Sequence, residues 1–254
     1  MNPTRLEVLF TPAEFATLSE RNLTETVCVV FDILRATSTM MTALANGAEA
    51  ILPVGEIDDA LEIRAARPQV LLAGERNGLR ILASQTGGID FDLGNSPREF
   101  LRKTVEGKTI VMTTTNGTRA LQACASARLT LIGSFLGLRA LGRWIMREKP
   151  SDLLLVCSGT VDQAAYEDVL GAGALCDLVW PDYSDGCISD SCQIARQIFN
   201  LARPDLLLAV QHGRNGRRLL ANPDLAEDVV CCLQHDSVDF LAALEKDGAV
   251  RRFD

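Results

Sequence analysis

Asp32 stands near the end of the apolar run TVCVVFDI, residues 26–33, and Arg35, Thr37, Ser38 and Thr39 come directly after it. Arginine forms paired, charge-assisted bonds to phosphate oxygens, and hydroxyls with the first amides of a helix can surround the same anion. A carboxylate among these groups would repel a phosphate. Either a magnesium ion between them or service of Asp32 as the nucleophile resolves that conflict.

Two further turns carry related chemistry. Thr113-Thr114-Thr115-Asn116-Gly117-Thr118 concentrates hydroxyls and an amide around a glycine that permits a tight turn or close backbone approach. An elaborate helix cap is the plainer account of the same residues. Cys157-Ser158-Gly159-Thr160 follows the apolar DLLLV, with Glu167 and Asp168 beyond it, one of which could reach a hard cation. The passage between the first two turns supplies Glu75, Arg76 and Asn77 at one end and Asn95 and Ser96 at the other. Arg76 is a second anion clamp by type, and Glu75 suits metal binding, proton transfer or a salt bridge to Arg76 or Arg35.

Several familiar mechanisms lack their signatures. The chain has no GxxxxGK[ST] phosphate loop and no strand-linked GxGxxG. Gln163, not arginine, stands six positions after Cys157, and Leu34 replaces the second aspartate of a DxD start. His212 and His235 are the only histidines, too few for a histidine-rich metal centre, and structural roles suit them best.

These turns need elements that place them. TVCVVFDI reads as a buried strand, LRATSTMMTALANGA as a helix with Met40, Ala43, Leu44 and Gly47 on one face, and AILPV as the next strand. Strand, polar turn, helix and strand in that order indicate a βαβ unit. QVLLAGE, 69–75, predicts another strand, followed by a long structured loop that ends in a helix start at Ser96-Pro97. KTIVMTTTNGTRALQACASARLTLIGS then repeats the first unit, with Thr118 opposite Thr39. Internal duplication and simple recurrence of α/β units explain this equally well. DLLLVCSGT and the helix-forming stretch after it make a third such junction. SDSCQIARQIFNLAR predicts a helix packing through Ile194, Ile198 and Leu201, AEDVVCCL a helix-like run, and GAVRRF an extended end. No linker divides the 254 residues, so one compact unit is expected over 1–254, built as one domain or two intimately packed α/β halves.

Composition narrows the setting. A formal charge of -8 argues against general nucleic-acid affinity, although a few arginines can still make a small anion site. No uninterrupted apolar run of membrane-spanning length occurs and no leader pattern opens the chain, which makes the cytoplasm the expected location. The eight cysteines form no CxxC pair, and Cys28, Cys124 and Cys157 read as buried free thiols.

At these residues the sequence resembles the 2-phosphosulfolactate phosphatase family. The likeness lies in VVFDILRATST at 29–39, AGERNG at 73–78, FDLGNSP at 91–97, TTTNGTRAL at 113–121, GSF at 133–135 and YEDVLGAG at 166–173, and extends through RNGRRLL and EDVVCCL. The resemblance implies a three-layer α/β/α fold with a mixed, largely parallel sheet, often oligomeric, with a homodimer expected. It also implies magnesium-dependent release of phosphate from 2-phosphosulfolactate in coenzyme M biosynthesis. Its motifs fall on Asp32, Arg35, Thr37, Ser38, Thr39, Glu75, Arg76, Asn95, Thr115, Asn116 and Asp168. The third turn departs from the family's Cys-Ala-Gly-like form.

The resulting expectation has Asp32 and Asp168, with Glu75, holding magnesium. Arg35 and Arg76 with the turn groups at Thr37, Ser38, Thr39, Asn95, Ser96, Thr115, Asn116, Gly117 and Ser158 orient phosphate, and Arg214 or Arg217 meets the sulfonate and carboxylate of a small phosphorylated organic acid. Whether Asp32 attacks phosphorus or serves a direct attack by water stays open. A noncatalytic phosphoanion binder and a lyase or isomerase acting on a small phosphorylated metabolite are the rival functions.

Overall fold

The computed structural model describes residues 4–253. Among these residues eleven strands join one mixed sheet: β1 (Arg5–Leu9), β2 (Thr26–Phe31), β3 (Ala50–Val54), β4 (Leu71–Arg76), β5 (Leu79–Arg80), β6 (Thr109–Thr113), β7 (Leu129–Gly133), β8 (Asp152–Cys157), β9 (Cys187–Ile188), β10 (Leu241–Leu244) and β11 (Val250–Phe253). Their spatial order is β5-β4-β6-β3-β11-β10-β7-β2-β8-β1-β9. Helices flank the sheet, completing the three-layer α/β/α arrangement that the alternation of strands and helices called for. Every residue of β2 is buried, which is why it reads as a continuous apolar run rather than an alternating one.

The sheet consists of two parallel blocks, β4-β6-β3 and β7-β2-β8-β1, joined by the antiparallel pair β10–β11. The order is symmetrical about that pair, with β3 and β7, β6 and β2, β4 and β8 in matching places. The repeated units over β2–β3 and β6–β7 therefore each send one strand to each block. Three antiparallel pairings separate the blocks, so they run in opposite senses, and a flat sheet would put their C-terminal ends on opposite edges. The ends instead touch, because Asn116 after β6 donates to Gly159 O after β8 at 2.9 Å. Sheet twist of about 20–25° per neighbouring pair, roughly 100–125° over the steps from β6 to β2, turns the two sets of ends toward the same side, and the turns beyond them make the contact. Register levels the ends within each block, Gly74 beside Thr113 and Phe31 beside Cys157.

Several details differ from the sequence expectations. The helix Asp190–Ala202 packs through Cys192, Ala195, Phe199 and Ala202, while Ile194 and Leu201 face solvent at 48% and 83% exposure. Apart from Phe199 its inner stripe is of small residues, with Ile198 packed at its side, because the helix lies against Tyr166–Tyr183 at close range: a Cβ on Gly173 would sit 2.1 Å from Ala195 O. The stretch after β4 is not plain loop; it holds β5, a helical turn at Ala83–Thr86 and a bridge from Leu93 back to Ala73. Ser96 starts only a short 3-10 turn, Pro97–Glu99, and its hydroxyl does not cap it. Strands β1 and β10 are additions to the elements expected from the sequence pattern. Gly47 lies beyond the helix Ala36–Ala45 with φ +91°, while Met40, Ala43 and Leu44 are buried as expected. All eight cysteines are free thiols, with Cys28, Cys124 and Cys157 fully buried. Among the described residues no helix is long and apolar enough to cross a membrane.

Candidate active site

A cleft of about 100 Å³ opens where the two blocks meet. Its wall brings Asp32, Leu34 and Arg35 from the turn after β2 together with Glu75, Asn77 and Gly78 from the end of β4 and the turn after it. Asn95, Thr114, Thr115, Asn116, Gly159, Thr160, Val161, Asn215 and Arg218 complete it. Residues scattered over most of the chain thus converge, as expected when polar turns follow strands whose ends lie level.

Asp32 occupies the floor. Its Oδ1 accepts from Ala36 N at 3.2 Å, and a Cβ placed on Gly117 would lie 2.6 Å from Oδ2. Glycine at 117 is therefore a requirement of space, since any side chain would push into the carboxylate. Burial pushes the Asp32 carboxyl up to about 7, the Ala36 amide opposes the rise, and the charges of Glu75 and Glu167 add to it. The carboxylate is open to the cleft yet enclosed by protein elsewhere, so a cation placed before it would restore the ionised form.

Arg35 is 3% exposed and held from two sides: one nitrogen donates to Asp228 Oδ2 at 2.5 Å, the other to Gly78 O at 2.7 Å. Asp228, itself fully buried, also accepts from Ser96 Oγ at 2.6 Å. Arg35 is consequently a cation of fixed position beside the cleft. Sequence reasoning does not reach Asp228. Its available signal is an acid sharing the buried side of the Ala226–Cys232 helix with Val229 and Cys232, where an unpaired charge is not tolerated.

The hydroxyls of the first turn do not line the cleft. Thr37 Oγ1 donates to Asp32 O, Ser38 Oγ to Ile33 O, and Thr39 Oγ1 to Asn95 O, at 2.9 Å in each case. All three residues are buried, and a buried hydroxyl takes a nearby carbonyl, here at the strand end or in the facing loop. They brace the turn that carries Asp32 and Arg35. Ser96, Gly117 and Ser158 likewise stand behind the wall, and among the described residues Ser158 Oγ has no hydrogen-bond partner. Arg76 turns to Glu75 O and Thr113 Oγ1.

Asp168 and Glu75 act on backbone amides. Asp168 accepts from Ile33 N at 2.8 Å and Gly159 N at 3.1 Å, locking the turns after β2 and β8 together. Burial, then the charges of Asp32 and Glu167, hold its carboxyl well above the usual range. Glu75 accepts from Thr115 N and Oγ1 through one oxygen and from Gly78 N through the other. Among the described residues no group of three His, Cys, Asp or Glu side chains converges as a metal cluster. Of the expected trio, Asp32 and Glu75 share the cleft wall while Asp168 does not line it, and both Asp168 and Glu75 direct their oxygens to backbone amides.

Other donors do suit a hard cation. Among the described residues Asn95 Oδ1 and Asn116 Oδ1 are buried without a partner, and both residues share the cleft wall with Asp32. One carboxylate and neutral oxygens, with water completing the shell, match how magnesium is held.

Arg214 and Arg217 are not the cations of the cleft. Arg214 binds Gln163 Oε1 and Thr160 O, and Arg217 binds His212 O. Arg218, one turn beyond Arg214 on the helix Arg214–Leu220, lines the cleft instead, its guanidinium carbon 3.6 Å from where a Gly78 Cβ would be. It has no hydrogen bond or ion pair among the described residues. The helix buries Asn215, Gly216 and Leu219, and Arg218, three residues after Asn215, joins it on the cleft wall. His212 is exposed, and His235 packs on Phe135 with ring centres 5.1 Å apart.

Fold and cleft together define a three-layer α/β protein whose strand-end turns meet around a small polar site carrying both fixed and free cations. Comparison with known sequences gives the family. A profile of 2-phosphosulpholactate phosphatase matches residues 13–247, and the chain belongs to that family. It is 37% identical over 239 residues to a probable 2-phosphosulfolactate phosphatase of Caldanaerobacter subterraneus subsp. tengcongensis, covering 93% of this chain and 95% of that protein. A protein of the same description from Pseudothermotoga lettingae is 35% identical over 251 residues, 97% of this chain and 99% of the relative.

Proposed function

We propose that the protein hydrolyses a small phosphate monoester with magnesium, 2-phosphosulfolactate being the substrate and sulfolactate and inorganic phosphate the products. The observation that carries this reading is the meeting, on one cleft, of Asp32, the unpartnered oxygens of Asn95 and Asn116, and the cations Arg35 and Arg218. Asp32, Asn95 and Asn116 would hold magnesium, which when bound neutralises charge on the transferring phosphoryl group. Arg35, fixed by Asp228 and Gly78 O, keeps its charge beside the phosphoryl oxygens without reorganisation. Arg218 meets a second acidic group of the substrate. Water attacks phosphorus, the phosphorus–oxygen ester bond breaks, and the leaving oxygen takes up a proton. Asp168 and Glu75 are positioning residues that set the three turns.

The same reading places the reaction in coenzyme M biosynthesis, in the cytoplasm, with a homodimer as the working unit. The test is inorganic-phosphate release from phosphosulfolactate, phosphoglycolate and phospholactate, with magnesium and with a chelator. Magnesium-dependent release is expected, fastest from phosphosulfolactate. Binding of these compounds without release would leave a phosphoanion-binding protein, and consumption without phosphate would leave a lyase or isomerase.

A further inference from the structure

One cleft residue is held in a backbone conformation that its side chain disfavours. Val161 has φ +57°, in the left-handed region where a β-branched residue is strained. It sits in the tight turn Thr160–Gln163, closed by Thr160 N to Gln163 O at 2.8 Å and Gln163 N to Thr160 O at 3.2 Å. Three side-chain bonds keep the turn in place: Arg214 to Thr160 O and to Gln163 Oε1, both 2.9 Å, and Asn215 Nδ2 to Thr160 Oγ1 at 2.6 Å. Surroundings of this kind can maintain a strained residue.

Val161 is 61% exposed and lines the cleft, where it and Leu34 are the aliphatic residues on a wall otherwise polar or glycine. A glycine would meet the same φ without strain, so the turn geometry does not call for valine. An isopropyl group cannot hydrogen-bond phosphate, and its χ1 is stiff. On the cleft side it meets the organic part of a ligand rather than the phosphate. We infer that Val161 sets the size of the group that accompanies phosphate in the cleft, restricting the site to short-chain esters. The inference rests on the phosphate-ester reading of the cleft and adds to it a residue that determines specificity.

The test is calorimetric binding of methylphosphonate and phenylphosphonate in magnesium buffer, which needs no turnover, for the wild type, V161G and V161A. The wild type should prefer methylphosphonate, and both variants should shift the affinity ratio at least about tenfold toward phenylphosphonate. V161G should also melt above V161A by about 2–4 °C, since glycine alone relieves the backbone. A ratio unchanged within twofold in both variants, or V161G melting no higher than V161A, overturns the inference. If the wild type releases phosphate from its esters while the ratio stays fixed, the inference alone fails; if it binds neither phosphonate and releases no phosphate, both readings fail.

Discussion

Replacing Asp32 by asparagine should remove activity and, above neutral pH, make the metal-free protein more stable. Burial raises the Asp32 carboxyl from 3.8 to about 7, so the folded chain holds a proton that the unfolded chain has lost across that interval. Stability from this group is full below about pH 4 and falls as pH rises toward 7. At ~1.4 kcal/mol per unit, a shift of roughly three units sets a ceiling of ~4 kcal/mol. Water in the open cleft reduces that to ~1–3 kcal/mol. The carboxamide of the variant does not titrate, so D32N and wild type should melt alike near pH 4 and diverge up to pH 7–8. At ~2–4 °C per kcal/mol for a chain of this size, D32N should then melt several degrees higher. Thermal melts with chelator across pH 4–8 measure this, and added magnesium should narrow the gap by stabilising only the wild type. An offset between the two proteins that is the same at every pH would refute the reasoning. So would near-normal phosphate release by folded D32N.

Gly117→Ala puts a methyl group 2.6 Å from Asp32 Oδ2 and 2.8 Å from Ala36 Cβ. A displacement on the order of an ångström can cost about 10²-fold, so kcat should drop by about that factor with circular dichroism unchanged, and wild-type kcat would contradict the crowding. Arg35→Ala leaves the fully buried Asp228 charge with only the 3.5 Å contact to the half-exposed Arg98 and the Ser96 hydroxyl, and should cost on the order of 2–4 kcal/mol in urea unfolding. A midpoint within error of wild type would show that the pair does not hold the turn. Arg218→Ala should raise KM about tenfold for phosphoglycolate and leave KM for methyl phosphate unchanged; equal effects on both would remove Arg218 from recognition of the second acidic group.

The turns after β2, β6 and β8 are legible in the sequence because strand ends announce themselves by an abrupt change from apolar to polar residues, and Asp32, Arg35, Thr115 and Asn116 do line one cleft. Hydroxyl identity, by contrast, says nothing of direction. Thr37, Ser38 and Thr39 bond to backbone carbonyls because the first turns of their helix are enclosed on every side, leaving no direction open to the cleft. The packing face of Asp190–Ala202 departs from expectation for a related reason: hydrophobicity favours Ile194 and Leu201, but close approach at Gly173 selects the stripe of small residues. Arg218 rather than Arg214 or Arg217 reaches the cleft through helix phase, which a run of arginines does not display.

The alternating strands and helices, the polar junctions and the residue types able to bind an oxyanion follow from local patterns of burial and turn chemistry, and so are readable along the chain. Which of those residues share a site is a matter of long-range packing. The β10–β11 pair reverses one block against the other, sheet twist swings the two sets of strand ends together, and the salt bridge from Arg35 to Asp228 spans 193 positions of chain. Such pairings depend on strand order and register over long separations, where no local pattern in the sequence carries the information.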